Sequence, residues 1–193
     1  INMAEKKYPS LLPNISSCRS PQLMMGSILR KHFVPKSGVD PQKFFLVSLM
    51  PCTAKKDEIK REALKIDGKQ TIDVVLTTRE FAKFLKLQGV QSFADLHDAK
   101  FDVLSQDTGA SAIFGVTGSV MEAALRTAYE LATGKKLDKV EFQAVRGLQG
   151  LREATIPVGD LKVKVAVVNG GKATRELLDR IVEKKADYHF VEV

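Results

Sequence analysis

The run Phe44–Met50, followed by Pro51 and Cys52, constrains the fold of this chain more than any other part of its sequence. Because this run, FFLVSLM, is almost entirely apolar, it predicts a buried strand. Proline has no N–H to donate to a central ladder, so the strand is expected to end at Pro51. Lys55 follows the cysteine three residues later. A thiolate fixed at a strand end, with an ammonium close behind it, can hold an electron-poor metal and donate to the anionic ligands of that metal.

Predicted strands and helices alternate along the chain. This order predicts an α/β fold with a mostly parallel sheet flanked by helices, and a length of 193 residues predicts one domain with a substantial core. Ser20 is a good N-cap and Pro21 suits a first helical turn, whereas Pro35–Gln42 reads as a loop. Helices are predicted over 20–32, 56–64, 77–87, 119–133 and 173–184, and strands over 44–50, 72–76, 141–146, 161–168 and 188–193.

Composition excludes several classes of protein. The two cysteines, Cys18 and Cys52, lie 34 positions apart and form neither a disulfide framework nor a CxxC pair. Iron–sulfur clusters typically need four thiolates, which this chain lacks. No apolar stretch approaches the roughly 20 residues of a membrane span. The net charge of +7 comes from scattered lysines without interleaved aromatics, so a solvated surface is favoured over nucleic-acid binding.

Two glycine-containing segments invite a nucleotide-binding interpretation. Phe114–Gly118 precedes a helix but lacks the lysine that a phosphate-binding loop requires, and Asn169–Gly171 lacks the GxGxxG spacing. Ordinary turns are therefore favoured at both positions. The three histidines are far apart in sequence and match no metal-binding spacing, so they are interpreted as structural.

The segment MPCTAKKDE, residues 50–58, resembles the second cysteine signature of the iron-only ([FeFe]) hydrogenases. Other segments resemble further parts of the same family in the same order, and together they cover nearly the whole chain. They are SSCRSPQLMMG (16–26), VVLTTREFAKFLK (74–86), SAIFGVTGSVMEAALRTAYE (111–130), VRGLQGLREA (145–154) and YHFVEV (188–193).

The resemblance implies that residues 1–193 form a single α/β lobe of the two-lobed hydrogenase catalytic domain. The family has one cysteine signature before a segment like KKYPSLLPN and another after a segment like YHFVEV. Cys52 alone matches one of the four cysteines that hold the family's cluster. The chain is therefore expected to be a central fragment that binds no complete cluster and is inactive alone.

The resemblance also assigns roles to individual residues. It implies that Cys52 binds a [4Fe-4S] cluster and that Lys55 donates to a cyanide of the attached di-iron subcluster. Glu58 and Ser16 are expected to relay protons, and the residues expected near the cluster are Ser20, Gln22, Met50, Pro51 and Phe114. Without the resemblance, Lys55 and Glu58 would be solvated residues at a helix start, Gln22 a capping or exposed residue, and Ser16 a loop serine.

The implied activity is the reversible reduction of protons to H2 in the complete enzyme. The alternative is a non-catalytic, hydrogenase-like iron–sulfur scaffold or assembly protein. Expected partners are the remainder of the catalytic domain and either an electron-donor protein or accessory iron–sulfur domains, with no nucleic acid and no membrane. The opening Ile1–Ser10 is polar and charged rather than a secretory signal, and a cytoplasmic, anaerobic setting is expected.

Overall fold

The computed structural model divides the chain into two compact units. One unit is Ser16–Lys100, and the other joins Ile1–Ile15 to Phe101–Val193. The structure describes residues 1–102, 104, 109–137, 141, 143–145 and 149–193, with only the backbone described at Asp95. The single lobe expected for residues 1–193 stays a prediction.

The described elements follow one another as helices and short strands. The helices are α1 (Asn2–Lys7), α2 (Pro21–Ile28), α3 (Val34–Ser37), α4 (Ala54–Glu58), α5 (Thr78–Leu87), α6 (Ser119–Thr133) and α7 (Gly171–Val182). A π-helical segment, Leu29–Phe33, joins α2 to α3, and 3-10 turns lie at Pro9–Asn14, Glu62–Leu64, Phe93–Asp95 and Ser111–Ile113. The strands are β1 (Val47–Leu49), β2 (Val74–Leu76), β3 (Gln143–Ala144), β4 (Leu151–Val158), β5 (Leu161–Val168) and β6 (Phe190–Glu192).

In the unit Ser16–Lys100, β1 and β2 pair in parallel, with Ser48 opposite Val75. The core below this sheet contains Leu23 of α2 together with Ile59, Ile72 and Val75. The prediction of a strand at the MPC motif is confirmed, but its extent and burial are not. The strand covers Val47–Leu49 instead of 44–50. Because side chains alternate across a strand, Ser48 is buried, whereas Val47 and Leu49 are 43% and 48% exposed.

The predicted helix 20–32 is longer than expected, and the loop predicted over Pro35–Gln42 is wrong at its start. The helix continues through the π-helical segment into α3 and ends at Gly38, which has φ +73°. Pro35 has no N–H and its ring clashes with the preceding turn of a regular α-helix. A wider π turn accommodates the proline, so the helix passes it.

The next two predicted helices have different outcomes. The helix predicted over 56–64 is α4, which is short, followed by the turn Glu62–Leu64. The helix predicted over 77–87 is α5. Its capping box is confirmed, since the Thr77 hydroxyl accepts from the Glu80 N–H and the Glu80 carboxylate accepts from the Thr77 N–H.

The other unit contains a sheet with the strand order β3-β4-β5-β6. Strands β4 and β5 are antiparallel and are joined at the turn residues Gly159 and Asp160, whereas β5 and β6 are parallel. The α/β class is confirmed, but the sheet directions are mixed because the unpredicted strand β4 forms this hairpin. The strand predicted over 141–146 corresponds to Gln143–Ala144, and part of that prediction lies outside the described residues.

Strand β5 lies at the centre of this unit's core. Its last four residues, Val165–Val168, are all buried. Val165 and Val167 pack in a cluster with Met121 of α6, whereas Ala166 and Val168 pack with Leu177 of α7. The two helices thus contact the two sets of alternating side chains on β5. Among the described residues, none of the helices combines the length and the apolar character needed to cross a membrane.

Candidate functional site

The carboxylate of Glu58 is the centre of a hydrogen-bonded cluster in the unit Ser16–Lys100. Its Oε2 accepts from the Ser20 hydroxyl at 2.8 Å, from the Lys55 ammonium at 3.1 Å and from the Gln22 amide at 3.3 Å. The Lys55 and Glu58 side chains are 27% and 19% exposed, so the ion pair is largely removed from solvent. Four residues predicted for the site therefore lie together around one oxygen.

Gln22 connects this carboxylate to strand β1. The Gln22 side chain is 4% exposed, and its Oε1 accepts from the Ser48 hydroxyl at 2.7 Å. Because that hydroxyl occupies the carbonyl end of the amide, the NH2 end faces Glu58. Ser48 thus fixes the amide orientation that makes Gln22 a donor to Glu58.

The start of α2 places Ser20 and Gln22 beside Glu58. Ser20 is the N-cap, and its hydroxyl accepts from the Leu23 N–H while donating to Glu58. Gly26 allows α2 to lie close to the chain before β2, since a Cβ at Gly26 would meet Ile72 Cδ1 at 2.7 Å. This close approach places the polar start of α2 against β1.

The MPC motif follows β1 directly, as predicted. Met50 is half-buried against the core, and its N–H donates to the Leu76 carbonyl at 2.9 Å. Pro51 and Cys52 are exposed, and Cys52 is a free thiol. The Cys52 carbonyl accepts from the Lys55 N–H at 3.3 Å, so the cysteine precedes the helical turn that carries Lys55.

Two further predicted site residues belong neither to this cluster nor to the MPC motif. Ser16 is exposed, and its hydroxyl accepts from the Cys18 N–H at 3.2 Å. Phe114 belongs to the other unit, where it is 42% exposed. For both residues the predicted roles stay predictions.

No group of three or more histidine, cysteine, aspartate or glutamate side chains could hold a metal among the residues that the structure describes. An iron–sulfur cluster typically takes four cysteine thiolates. The exposed thiol of Cys52 therefore fits the role of one ligand, and the full ligand set would need further residues from outside this chain.

Sequence reasoning missed two polar residues in strands. Ser48 is the only polar side chain in the apolar run 44–50, and that isolated polarity was the signal that could have identified it. Glu192 of β6 accepts the backbone N–H groups of Gly118 at 2.9 Å and Met121 at 2.7 Å. Its partners lie more than 70 positions away in sequence, so no local pattern indicates this contact.

Comparisons with known proteins agree with the resemblance. The family model "Iron only hydrogenase large subunit, C-terminal domain" matches residues 1–193. The chain is 49% identical over 190 residues to the periplasmic [Fe] hydrogenase large subunit of Nitratidesulfovibrio vulgaris, a match that covers 98% of this chain and 45% of that protein. It is 42% identical over 194 residues to iron hydrogenase 1 of Clostridium pasteurianum, covering 100% of this chain and 34% of that protein.

A solved structure supports the same assignment. A variant of an apo [FeFe]-hydrogenase from Chlamydomonas reinhardtii matches with a TM-score of 0.82 and 34% identity, covering 98% of this chain and 55% of that chain. The fold and the sequence together define a domain of the iron-only hydrogenase class. The chain belongs to the family of C-terminal domains found in the large subunits of iron-only hydrogenases. It spans less than half the length of the two curated hydrogenases.

Iron–sulfur cluster assembly factors, the alternative class, are also among the proteins similar to this chain. The chain is 31% identical over 198 residues to the cytosolic Fe-S cluster assembly factor narfl of Danio rerio, covering 98% of this chain and 48% of that protein. The higher identities belong to proteins named as hydrogenases.

Proposed function

We propose that this chain is part of an [FeFe]-hydrogenase catalytic domain, in which protons are reversibly reduced to H2 when the domain is complete. The observation that carries this proposal is the cluster of Ser20, Gln22 and Lys55 around the Glu58 carboxylate. The residues of this cluster come from two segments, residues 16–26 and residues 50–58. Both segments resemble corresponding segments of the hydrogenase family.

The chain's own residues would bind the cofactor and handle protons. When bound, a [4Fe-4S] cluster with its di-iron subcluster supplies the electron chemistry. Cys52 would supply one thiolate, and Lys55 would donate to an anionic ligand of the di-iron part. Glu58 would accept and release protons, which is the work of a positioned carboxylate, and Ser16 would serve the same proton route. Gln22 orients the Glu58 carboxylate through its amide.

The remaining expectations concern the whole protein. The two units are proposed to form one lobe of the domain, with Met50, Pro51 and Phe114 near the cluster. The rest of the large subunit would supply the other thiolates, and a donor protein or accessory iron–sulfur domains would supply electrons. A cytoplasmic, anaerobic setting is proposed here, although one relative is named periplasmic. Fractionation of the native cells would test the location.

The competing function is an iron–sulfur assembly scaffold. Its support is the 31% identity to the Danio rerio assembly factor across 98% of this chain. Lys55 discriminates between the two functions, because a scaffold without a di-iron subcluster has no anionic ligand for this ammonium to bind.

The test replaces Lys55 in the complete large subunit. Lys55→Ala is expected to lower the iron content and H2 evolution, because it removes the proposed donor to the di-iron part. Lys56→Ala is the matched control, since this neighbouring lysine pairs with Glu80 instead. Iron analysis and an H2 assay with a strong reductant provide the measurements. Full iron content and wild-type turnover in Lys55→Ala would contradict the role proposed for Lys55. A cluster-loaded wild type that evolves no H2 would contradict the hydrogenase proposal and favour the scaffold.

A further inference from the structure

Helix α6 begins without a capping side chain of its own. Its N-cap is Gly118, which has φ +90° and contributes no side-chain hydrogen bond. The first N–H groups of an α-helix have no partner within the helix, so a buried helix start needs acceptors from elsewhere. Ser119 and Met121 in this first turn are buried.

Glu192 supplies those acceptors from strand β6. Its two carboxylate oxygens each accept one backbone N–H, Oε1 from Gly118 at 2.9 Å and Oε2 from Met121 at 2.7 Å. A carboxylate at this position also complements the positive end of the helix dipole. Both bonds are charge-assisted, a class stronger than neutral hydrogen bonds.

The sheet fixes where this carboxylate lies. Glu192 is opposite Val167 in the parallel pairing of β6 with β5. The same valine packs under the helix start, because a Cβ added at Gly118 would meet Val167 Cγ2 at 3.2 Å. Glu192 and Val167 therefore both contact the end of the segment Phe114–Gly118.

Among the described residues, two other side chains hydrogen-bond to this segment, both at Thr117. Arg152 donates to the Thr117 carbonyl at 2.9 Å, and the Asn169 amide donates to the Thr117 hydroxyl at 3.4 Å. Both of these contacts are exposed, whereas the two Glu192 bonds are part-buried. Glu192 is thus the stronger anchor among the described contacts of this segment.

We propose that Glu192 is a positioning residue that fixes the segment Phe114–Gly118 and, through it, the Phe114 ring. The proposal rests on the proposed function, which places Phe114 near the cluster. The described hydrogen bonds of the Glu192 carboxylate come from backbone N–H groups. Glu192 acts through the backbone at Gly118 and Met121, and the loss of its carboxylate would release the segment without removing any residue from it.

The test is Glu192→Gln in the complete large subunit. A glutamine has one acceptor oxygen, so its NH2 would face one of the two backbone N–H groups and leave that group unpaired. Hydrogen exchange at Gly118 or Met121 is expected to rise about tenfold or more, the effect of losing a bond to a charged group. Exchange in the β4–β5 hairpin should stay unchanged, which separates a local release from general destabilisation. Glu176→Gln on α7 is the matched control because its lysine partner is 4.0 Å away and its side chain is 42% exposed.

The functional test compares the H2 turnover of single and double variants at Glu192 and Phe114. Glu192→Gln should retain cluster iron and lose turnover, and the double variant with Phe114→Ala should be no slower than Phe114→Ala alone. Unchanged local exchange would overturn the anchor. The positioning role would be overturned by faster exchange with unchanged turnover. It would also be overturned if the turnover losses of Glu192→Gln and Phe114→Ala were fully additive in the double variant. The proposed function is judged separately on the wild-type protein, because a cluster-loaded wild type that evolves no H2 would contradict it whatever Glu192 does.

Discussion

Glu58 and Glu192 are carboxylates of equal charge that are held in opposite ways. The described hydrogen bonds of Glu58 all end on Oε2 and come from side chains. Those of Glu192 use both oxygens and come from backbone N–H groups. Side-chain donors such as a hydroxyl and an ammonium can rotate and exchange protons, whereas a helix N-terminus is fixed. This difference is the basis for proposing Glu58 as a proton carrier and Glu192 as a structural anchor.

The comparison predicts its largest effect at Glu58. Glu58→Gln keeps one oxygen that can replace Oε2 but removes the ability to gain and lose a proton. Turnover of the complete enzyme is expected to fall by a factor on the order of 10² or more, with iron content close to wild type. An H2 assay beside iron analysis measures both quantities.

Asp57→Asn is the control for this variant. Asp57 is the neighbouring acid on α4, its side chain is 63% exposed, and its ion pair with Arg61 is long at 3.8 Å. This substitution should leave turnover unchanged. Wild-type turnover in Glu58→Gln would mean that Glu58 is a structural acceptor like Glu192, and the contrast between the two carboxylates would fail.

Local chemistry made much of the fold predictable. The Ser20 cap with Pro21 and the Thr77–Glu80 capping box depend on residues within one turn, and both are confirmed. The helix predicted over 119–133 matches α6 residue for residue, because a glycine lies at each end. The proximity of Lys55 and Glu58 was also predictable, since they are neighbours on one helical turn.

Contacts between distant segments could not be predicted from local patterns. Strand β4 was missed because Arg152, Glu153 and Pro157 interrupt its apolar residues, and its stability comes from pairing with β5. The exposure of one side of β1 depends on which elements cover the sheet. Ser48 and Glu192 were missed for the same reason, since Gln22 and Gly118 become their partners only in the folded chain.

A backbone change should damage the Glu192 site and leave the Glu58 site intact. Gly118→Ala places a side chain at φ +90° and against Val167, so it is expected to lower the free energy of unfolding by about 1–3 kcal/mol. Gly134→Ala at the other end of α6 is the control, because φ there is also positive, at +68°, but no atom lies within 4 Å of the added Cβ. Chemical denaturation measures both variants. If both variants lose the same free energy of unfolding, the contact between the added methyl group and Val167 contributes nothing to the effect of Gly118→Ala.

A third carboxylate, Glu80, sharpens the comparison with the smallest expected effect. The Lys56 ammonium donates to Glu80 at 2.7 Å, and this bond, together with those from Thr77, lowers the pKa of Glu80 from 4.5 to about 2. Because the pKa is lowered in the folded state, the stabilisation is fully present above pH 4.5 and is lost as the pH falls from 4.5 towards 2. Lys56→Ala should raise the Glu80 midpoint towards 4.5 in an NMR titration. Lys65→Ala, whose partner is Glu62, should leave that midpoint unchanged. An unmoved midpoint in Lys56→Ala would show that the hydrogen bonds from Thr77 alone keep the pKa of Glu80 low.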